Sequence, residues 1–109
     1  MLILDAGQRR NRFAAASHGF LGQDGVEPGV VAGRGKQEIL AYPTVMWRDD
    51  EATSARRDGE AFVVATPSGE VRARRLILAT GVVDELPSVP GLRERWGRTV
   101  FSLSVLPRL

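Results

Sequence analysis

The chain has 109 residues, which allows one small domain. Hydrophobic content of 43% and charged content of 26% are those of an ordinary globular protein. The chain has no cysteine, which excludes disulfides, thiolate metal sites and thiol redox chemistry within it. A net charge of only +2, with basic and acidic residues interleaved and no aromatic-rich basic patch, argues against a nucleic-acid partner. No apolar run reaches membrane-spanning length and no basic-then-apolar leader opens the chain. The expectation is therefore no membrane partner and a cytoplasmic location.

In chain order, Met1-Leu2-Ile3-Leu4-Asp5 reads as a short buried parallel strand ending in an acid. Phe13 to Ser17 suits a helical turn. Residues 18–25 hold three glycines and read as a loop. Pro28 suits the first turn of a helix whose apolar face is Val30, Val31, Ile39 and Leu40 and which stops at Pro43. Residues 44–47 are strand-prone. Two further strands, 62–66 and 70–74, flank the turn triplet Pro67-Ser68-Gly69 and predict a hairpin. Leu76-Ile77-Leu78-Ala79 is continuously apolar, as a strand covered on both faces would be. Thr80-Gly81 ends it, and a Pro-rich connector follows. Residues 92–96 suggest a helical turn and 99–101 a last strand. The pattern predicts an α/β domain: a partial Rossmann-like unit with a small antiparallel β-meander.

Two features point to a nucleotide. An acid at the C-terminal end of a strand is placed to accept hydrogen bonds from ribose hydroxyls; this is Asp5. A glycine after a buried strand lets backbone approach a ligand closely; this is Gly81 in Ala79-Thr80-Gly81. The glycine-rich phosphate loop that a dinucleotide fold places before such an acid does not precede Asp5, so the first βα unit of that fold is expected to be lacking. The lone His18 has no identifiable partner for catalysis and reads as structural or cofactor-lining. Trp47 and Trp96 read as packing residues. No catalytic residue and no metal ligand is expected.

Leu2-Ile3-Leu4-Asp5-Ala6-Gly7, Asn11-Arg12-Phe13, His18-Gly19-Phe20-Leu21-Gly22 and Leu76 to Gly81 with Asp84-Glu85-Leu86-Pro87 together resemble thioredoxin-reductase-like members of the pyridine nucleotide-disulfide oxidoreductases. The resemblance covers residues 1 to about 102. It implies an FAD-binding domain at 1–102, with Asp5 on the adenosine ribose and backbone near Ala52 at the adenine. It also implies Asn11, His18 and Gly19 towards the flavin, and Ala79, Thr80 and Gly81 closing over the cofactor. In such proteins electrons pass from NAD(P)H through FAD to a disulfide or similar acceptor, and the NAD(P)H domain has no counterpart in this chain.

Residues 103–109 depart from the family. Members commonly continue with Cys-Pro-Tyr-Cys-His-Gly-Tyr, the redox pair. Codons for Leu103-Ser104-Val105-Leu106-Pro107-Arg108-Leu109 can, read one base later, encode Cys-Pro-Tyr-Cys-His-Gly and the start of Tyr. A frameshift is therefore expected to produce this tail, and the chain alone is expected to be inactive. The competing expectation is a non-catalytic α/β module that associates with itself or a partner through exposed sheet edges.

Overall fold

In the computed structural model, residues 1–100 are described; the expected non-family tail at 103–109, and Phe101 of the expected last strand, lie outside them. The fold is α/β and consists of two small sheets.

The first sheet is a parallel pair, β1 (Leu2–Asp5) and β2 (Met46–Asp49), in the register Leu2↔Met46 to Asp5↔Asp49. Parallel strands need a crossover, and here it contains a 3-10 turn (Arg10–Phe13) and helix α1 (Pro28–Leu40). Helix α1 starts as its sequence predicts. Pro28 occupies the first turn, and the Glu27 carboxylate accepts from the Gly29 N–H at 3.1 Å. The helix ends three residues before Pro43. Its expected apolar face is only half covered: Val30 and Leu40 stay exposed, Val31 and Ile39 half-buried. The expected turn at 13–17 sits earlier, at Arg10–Phe13, where the Arg12 N–H and the Arg12 guanidinium both donate to the Arg9 carbonyl.

The second sheet is the expected meander with one strand more than the sequence predicts: β3 (Ser54–Asp58), β4 (Ala61–Thr66) and β5 (Gly69–Ala73), all antiparallel. Pro67 and Ser68 make the β4–β5 turn, and the Thr66 hydroxyl donates to the Gly69 carbonyl at 2.9 Å across it. The buried apolar core of the described residues is here, Val63 and Val64. Successive strand residues face opposite sides, so both faces of β4 are covered, but differently. Val64 lies between Ala55 and Val71. Val63 lies between Arg56 and Arg72, whose stems cover it. Their head groups pair above it: Arg56 with Glu70 at 3.3 Å and Arg72 with Asp58. β3 has no apolar alternation and is wholly exposed, which is why its sequence gives no strand signal.

The apolar run at 76–79 is not a covered strand in this chain. It pairs with nothing among the described residues, and Ile77 and Leu78 are 82% and 74% exposed. Its apolar side chains suit a central strand, but a strand also needs neighbours to satisfy its backbone, and β1 and β2 pair only with each other. Further on, α2 (Leu92–Arg95) is the expected helical turn. The expected strand after it reduces to one bridge, Trp96 to Val100.

Burial is low throughout. The accessible surface is 9522 Å², against about 6,000 Å² for a compact monomer of this mass. No helix among the described residues is long and apolar enough to cross a membrane.

Candidate functional site

The C-terminal ends of β1 and β2 lie side by side. In parallel α/β sheets this edge is where ligands collect. A cleft of about 320 Å³ opens there, lined by Asp5, Ala6, Gly7, Asp49, Asp50 and Glu51. Asp5 Oδ1 accepts from the Gly7 N–H at 2.9 Å, which fixes the carboxylate just beyond the strand. Gly7 has φ 72°, a left-handed backbone that glycine adopts without strain. The Asp5 carbonyl accepts from the Asp50 N–H at 3.1 Å, extending the ladder by one bond and locking the two strand ends together.

The other acids of the cleft differ in their commitments. Asp49 Oδ1 accepts from Lys36 Nζ at 3.0 Å and from Trp47 Nε1 at 2.9 Å. These bonds hold its carboxyl below the usual range, the lysine contributing most. Lys36 also lies over the Trp47 ring, 4.5 Å from its centroid. Trp47 thus packs, as its sequence position predicts, and also donates. Asp50 Oδ1 accepts from the Glu51 N–H at 3.0 Å. The Thr66 hydroxyl donates to the Gly69 carbonyl, and the buried Asp50 Oδ2 has no donor among the described residues. Although four acids line the cleft, no group of three or more metal-binding side chains converges among the described residues.

The remaining candidates fall outside this cleft. Ala52 follows Glu51 directly and is exposed between β2 and β3. Asn11 sits in the 3-10 turn, its carbonyl accepting from the Ala14 N–H at 3.1 Å. His18 and Gly19 are exposed in a loop that closes on itself. Ser17 exchanges backbone bonds with Val26 and Gly25, both 2.7 Å, and Asp24 Oδ1 accepts from the Gly19 N–H at 3.0 Å, with His18 Nδ1 3.5 Å away. Ala79, Thr80 and Gly81 are exposed, and Gly81 turns the chain with φ 66°.

Sequence reading missed the pair that links two of these parts. Arg10 donates to Asp84 through Nε and Nη2, both at 2.9 Å. The Asp84 carboxyl is held below its usual range by this guanidinium and the Arg10 pKa is raised in turn. Two-point contact of this kind fixes orientation as well as distance. It ties the turn bearing Asn11 to the connector that follows Gly81. Nearby, Gly97 approaches Phe13 so closely that an added Cβ would lie 2.6 Å from Phe13 Cδ2. Lone charges 74 positions apart carry no local signal, so only the fold reveals the pair. The candidate residues thus fall in two groups: Asp5 with its cleft and Ala52 next in sequence to it, and Asn11 with the Gly81 connector.

No family model matches the chain. It is 32% identical over 108 residues to a protein named "Probable thioredoxin reductase" from Arthroderma benhamiae, covering 93% of this chain and 27% of that one. Against thioredoxin reductase tcpT of Claviceps purpurea the identity is 27%, covering 91% and 32%. Among solved structures, an oxidoreductase from Agrobacterium tumefaciens superposes with a TM-score of 0.83 at 50% identity, covering 94% of this chain and 35% of that one. The structure of HlmI superposes with a TM-score of 0.83 at 34% identity, covering 94% and 33%. The chain therefore carries thioredoxin-reductase-like sequence and fold, and spans about a third of the length of these relatives.

Proposed function

We infer that this chain is a segment of a thioredoxin-reductase-like flavoprotein, a flavin-dependent oxidoreductase passing electrons from NAD(P)H through FAD to a disulfide or similar acceptor. The observation that carries the reading is the Asp5 carboxylate, held at the C-terminal end of a parallel strand pair beside an open cleft. In this reading Asp5 accepts from the ribose hydroxyls of the adenosine half of FAD, and backbone near Ala52 meets the adenine. Asn11, His18 and Gly19 face the flavin side, and Ala79, Thr80 and Gly81 close over the cofactor.

The cleft suits only part of that ligand. Ribose hydroxyls are donors, and carboxylates are acceptors. A diphosphate needs cationic or N–H donors, ideally a helix N-terminus. The cleft lining is instead acidic, and Lys36, the cation that reaches one of its acids, is already bonded to Asp49. The residues present therefore fit the adenosine end and do not fit the diphosphate. Disulfide exchange requires a thiolate, which a cysteine-free chain cannot supply. The chain alone is expected to bind FAD weakly or not at all and to have no reductase activity.

Calorimetric titration tests the Asp5 role. Adenosine should bind weakly, and either 2′,3′-dideoxyadenosine or the Asp5→Asn variant should lower affinity about tenfold, the worth of a hydrogen bond to a charged group. Equal binding of adenosine and its dideoxy form would remove Asp5 from the reading. Stoichiometric flavin in the purified protein would contradict weak binding. The same reading assigns residues 1–102 to the cofactor-binding segment and 103–109 to a shifted reading frame. The encoding DNA tests that assignment: if no alternative frame there gives two cysteines two residues apart, it fails.

A further inference from the structure

We propose that the β-meander serves the cleft: it fixes the β2–β3 connection, residues 50–53, as the wall against which an adenosine sits, with Asp50 and Thr53 as the positioning residues. These roles rest on the adenosine reading of the cleft. Asp50 and Glu51 line the cleft, and Ala52 is the next residue. Residues 51–53 are all exposed, so no buried side chain of their own holds them. Hydrogen bonds hold the connection at both ends instead. At the near end the Asp50 N–H donates to the Asp5 carbonyl at 3.1 Å, which joins the connection to β1. At the far end the Thr53 N–H and the Thr53 hydroxyl both donate to the Ala65 carbonyl, at 2.9 and 3.2 Å. Ala65 belongs to β4, the middle strand of the meander and the one that holds the buried Val63 and Val64. The wall of the cleft is thus anchored on the best-packed strand of the chain.

Asp50 shapes the span between the two anchors. Its Oδ1 accepts from the Glu51 N–H at 3.0 Å, a local bond that turns the chain as it leaves β2. Its Oδ2 is buried beside the hydroxyls of Thr66 and Ser68, at the end of β4 and in the turn after it. Successive residues at a strand end face opposite sides. Asp49 therefore turns to Lys36 of α1, and Asp50 turns to the meander. A binding site keeps its geometry when the groups that touch the ligand are themselves locked by a supporting layer. Asp5 takes the ribose hydroxyls, the connection backs the rest of the nucleoside, and Thr53 locks the connection. Loss of an anchor therefore weakens adenosine and its 2′,3′-dideoxy form by the same factor, and the worth of the ribose hydroxyls to Asp5 stays as it was.

Calorimetric titration of the whole chain with adenosine and with 2′,3′-dideoxyadenosine tests these roles. Thr53→Val keeps the backbone bond and loses the hydroxyl bond, and should weaken both nucleosides about threefold with their ratio unchanged. Thr53→Ser restores the hydroxyl and should bind as wild type does. Asp50→Ala loses the acceptor for the Glu51 N–H and should weaken both nucleosides about fivefold. Asp50→Asn keeps an acceptor there, and its amide nitrogen can donate to the neighbouring hydroxyls, so its affinity should stay near that of wild type. An unchanged circular dichroism spectrum will confirm that each variant folds. Thr53→Val and Asp50→Ala variants that bind adenosine as tightly as wild type would overturn the proposal and leave the Asp5 role standing. So would a Thr53→Ser variant no better than Thr53→Val. Equal wild-type affinity for the two nucleosides would remove Asp5 alone, with the loss in Thr53→Val still supporting the anchors. A wild-type chain that takes up no adenosine would overturn both.

Discussion

Two stretches of this chain have nearly the same side-chain chemistry and opposite fates. β4 (Ala61–Thr66) and residues 76–83 are both runs of small and branched apolar residues, yet β4 holds the buried core and the second run is open to solvent. The difference lies in how far away each finds its partners. β4 pairs with β3 and β5 through short connections, so closing its ladders costs little chain entropy. The second run follows β5 without a turn to fold it back, and the β1–β2 pair does not take it up. Apolar content makes a segment capable of being a strand, and access to free backbone partners makes it one.

The largest effect should come from putting a charge into each stretch in turn. Val64→Asp places an unpaired carboxylate between Ala55 and Val71 and should destabilise the meander by about 3 kcal/mol or more, enough to unfold it. Ile77→Asp adds the same charge at an exposed position and should change monomer stability by less than about 0.5 kcal/mol. Urea denaturation of dilute protein measures both, and equal costs would abolish the contrast.

A smaller effect is expected where the N-terminal turn meets the end of the described chain. Gly97 has φ 72°, and a Cβ there would strike Phe13. Gly97→Ala should cost about 1–2 kcal/mol through backbone strain alone. It should also displace Phe13, which side-chain NMR would report, while leaving β4 unaffected.

The smallest effects are electrostatic. Asp58 and Asp84 both have carboxyls lowered by arginine partners, Arg72 and Arg10. A lowered folded pKa adds stability above the ordinary carboxylate range, and that stability is lost as pH falls through the folded value. Acidification below about pH 4 should therefore loosen the cover over Val63 and release the Arg10 turn, with no change near neutrality. Arg10→Gln should move the Asp84 titration back up towards the ordinary range, measured by carboxyl NMR, and leave Asp58 in place.

The sequence discloses the local parts of this picture well. Pro28 and Pro43 bracket α1, Pro67-Ser68-Gly69 marks the hairpin, and Asp5 falls at a strand end beside a cleft. Features that depend on distant partners are invisible in it. β3 is held by Val63, Val64 and Phe62 across the ladder and by nothing in its own pattern. The Arg10–Asp84 clamp joins residues with no local reason to meet. The run at 76–79 shows the converse: its pattern is that of a covered strand, and the cover is not among the described residues.

Amide hydrogen exchange, followed residue by residue against protein concentration, tests the contrast between the two stretches most directly. Amides of β4 should be protected at every concentration, because their ladders lie within one chain. Amides of residues 76–83 should exchange freely in dilute monomer, since they bond to no backbone partner among the described residues. Protection of 76–83 in the dilute monomer would contradict the account, because it would mean that this segment already has a partner within its own chain.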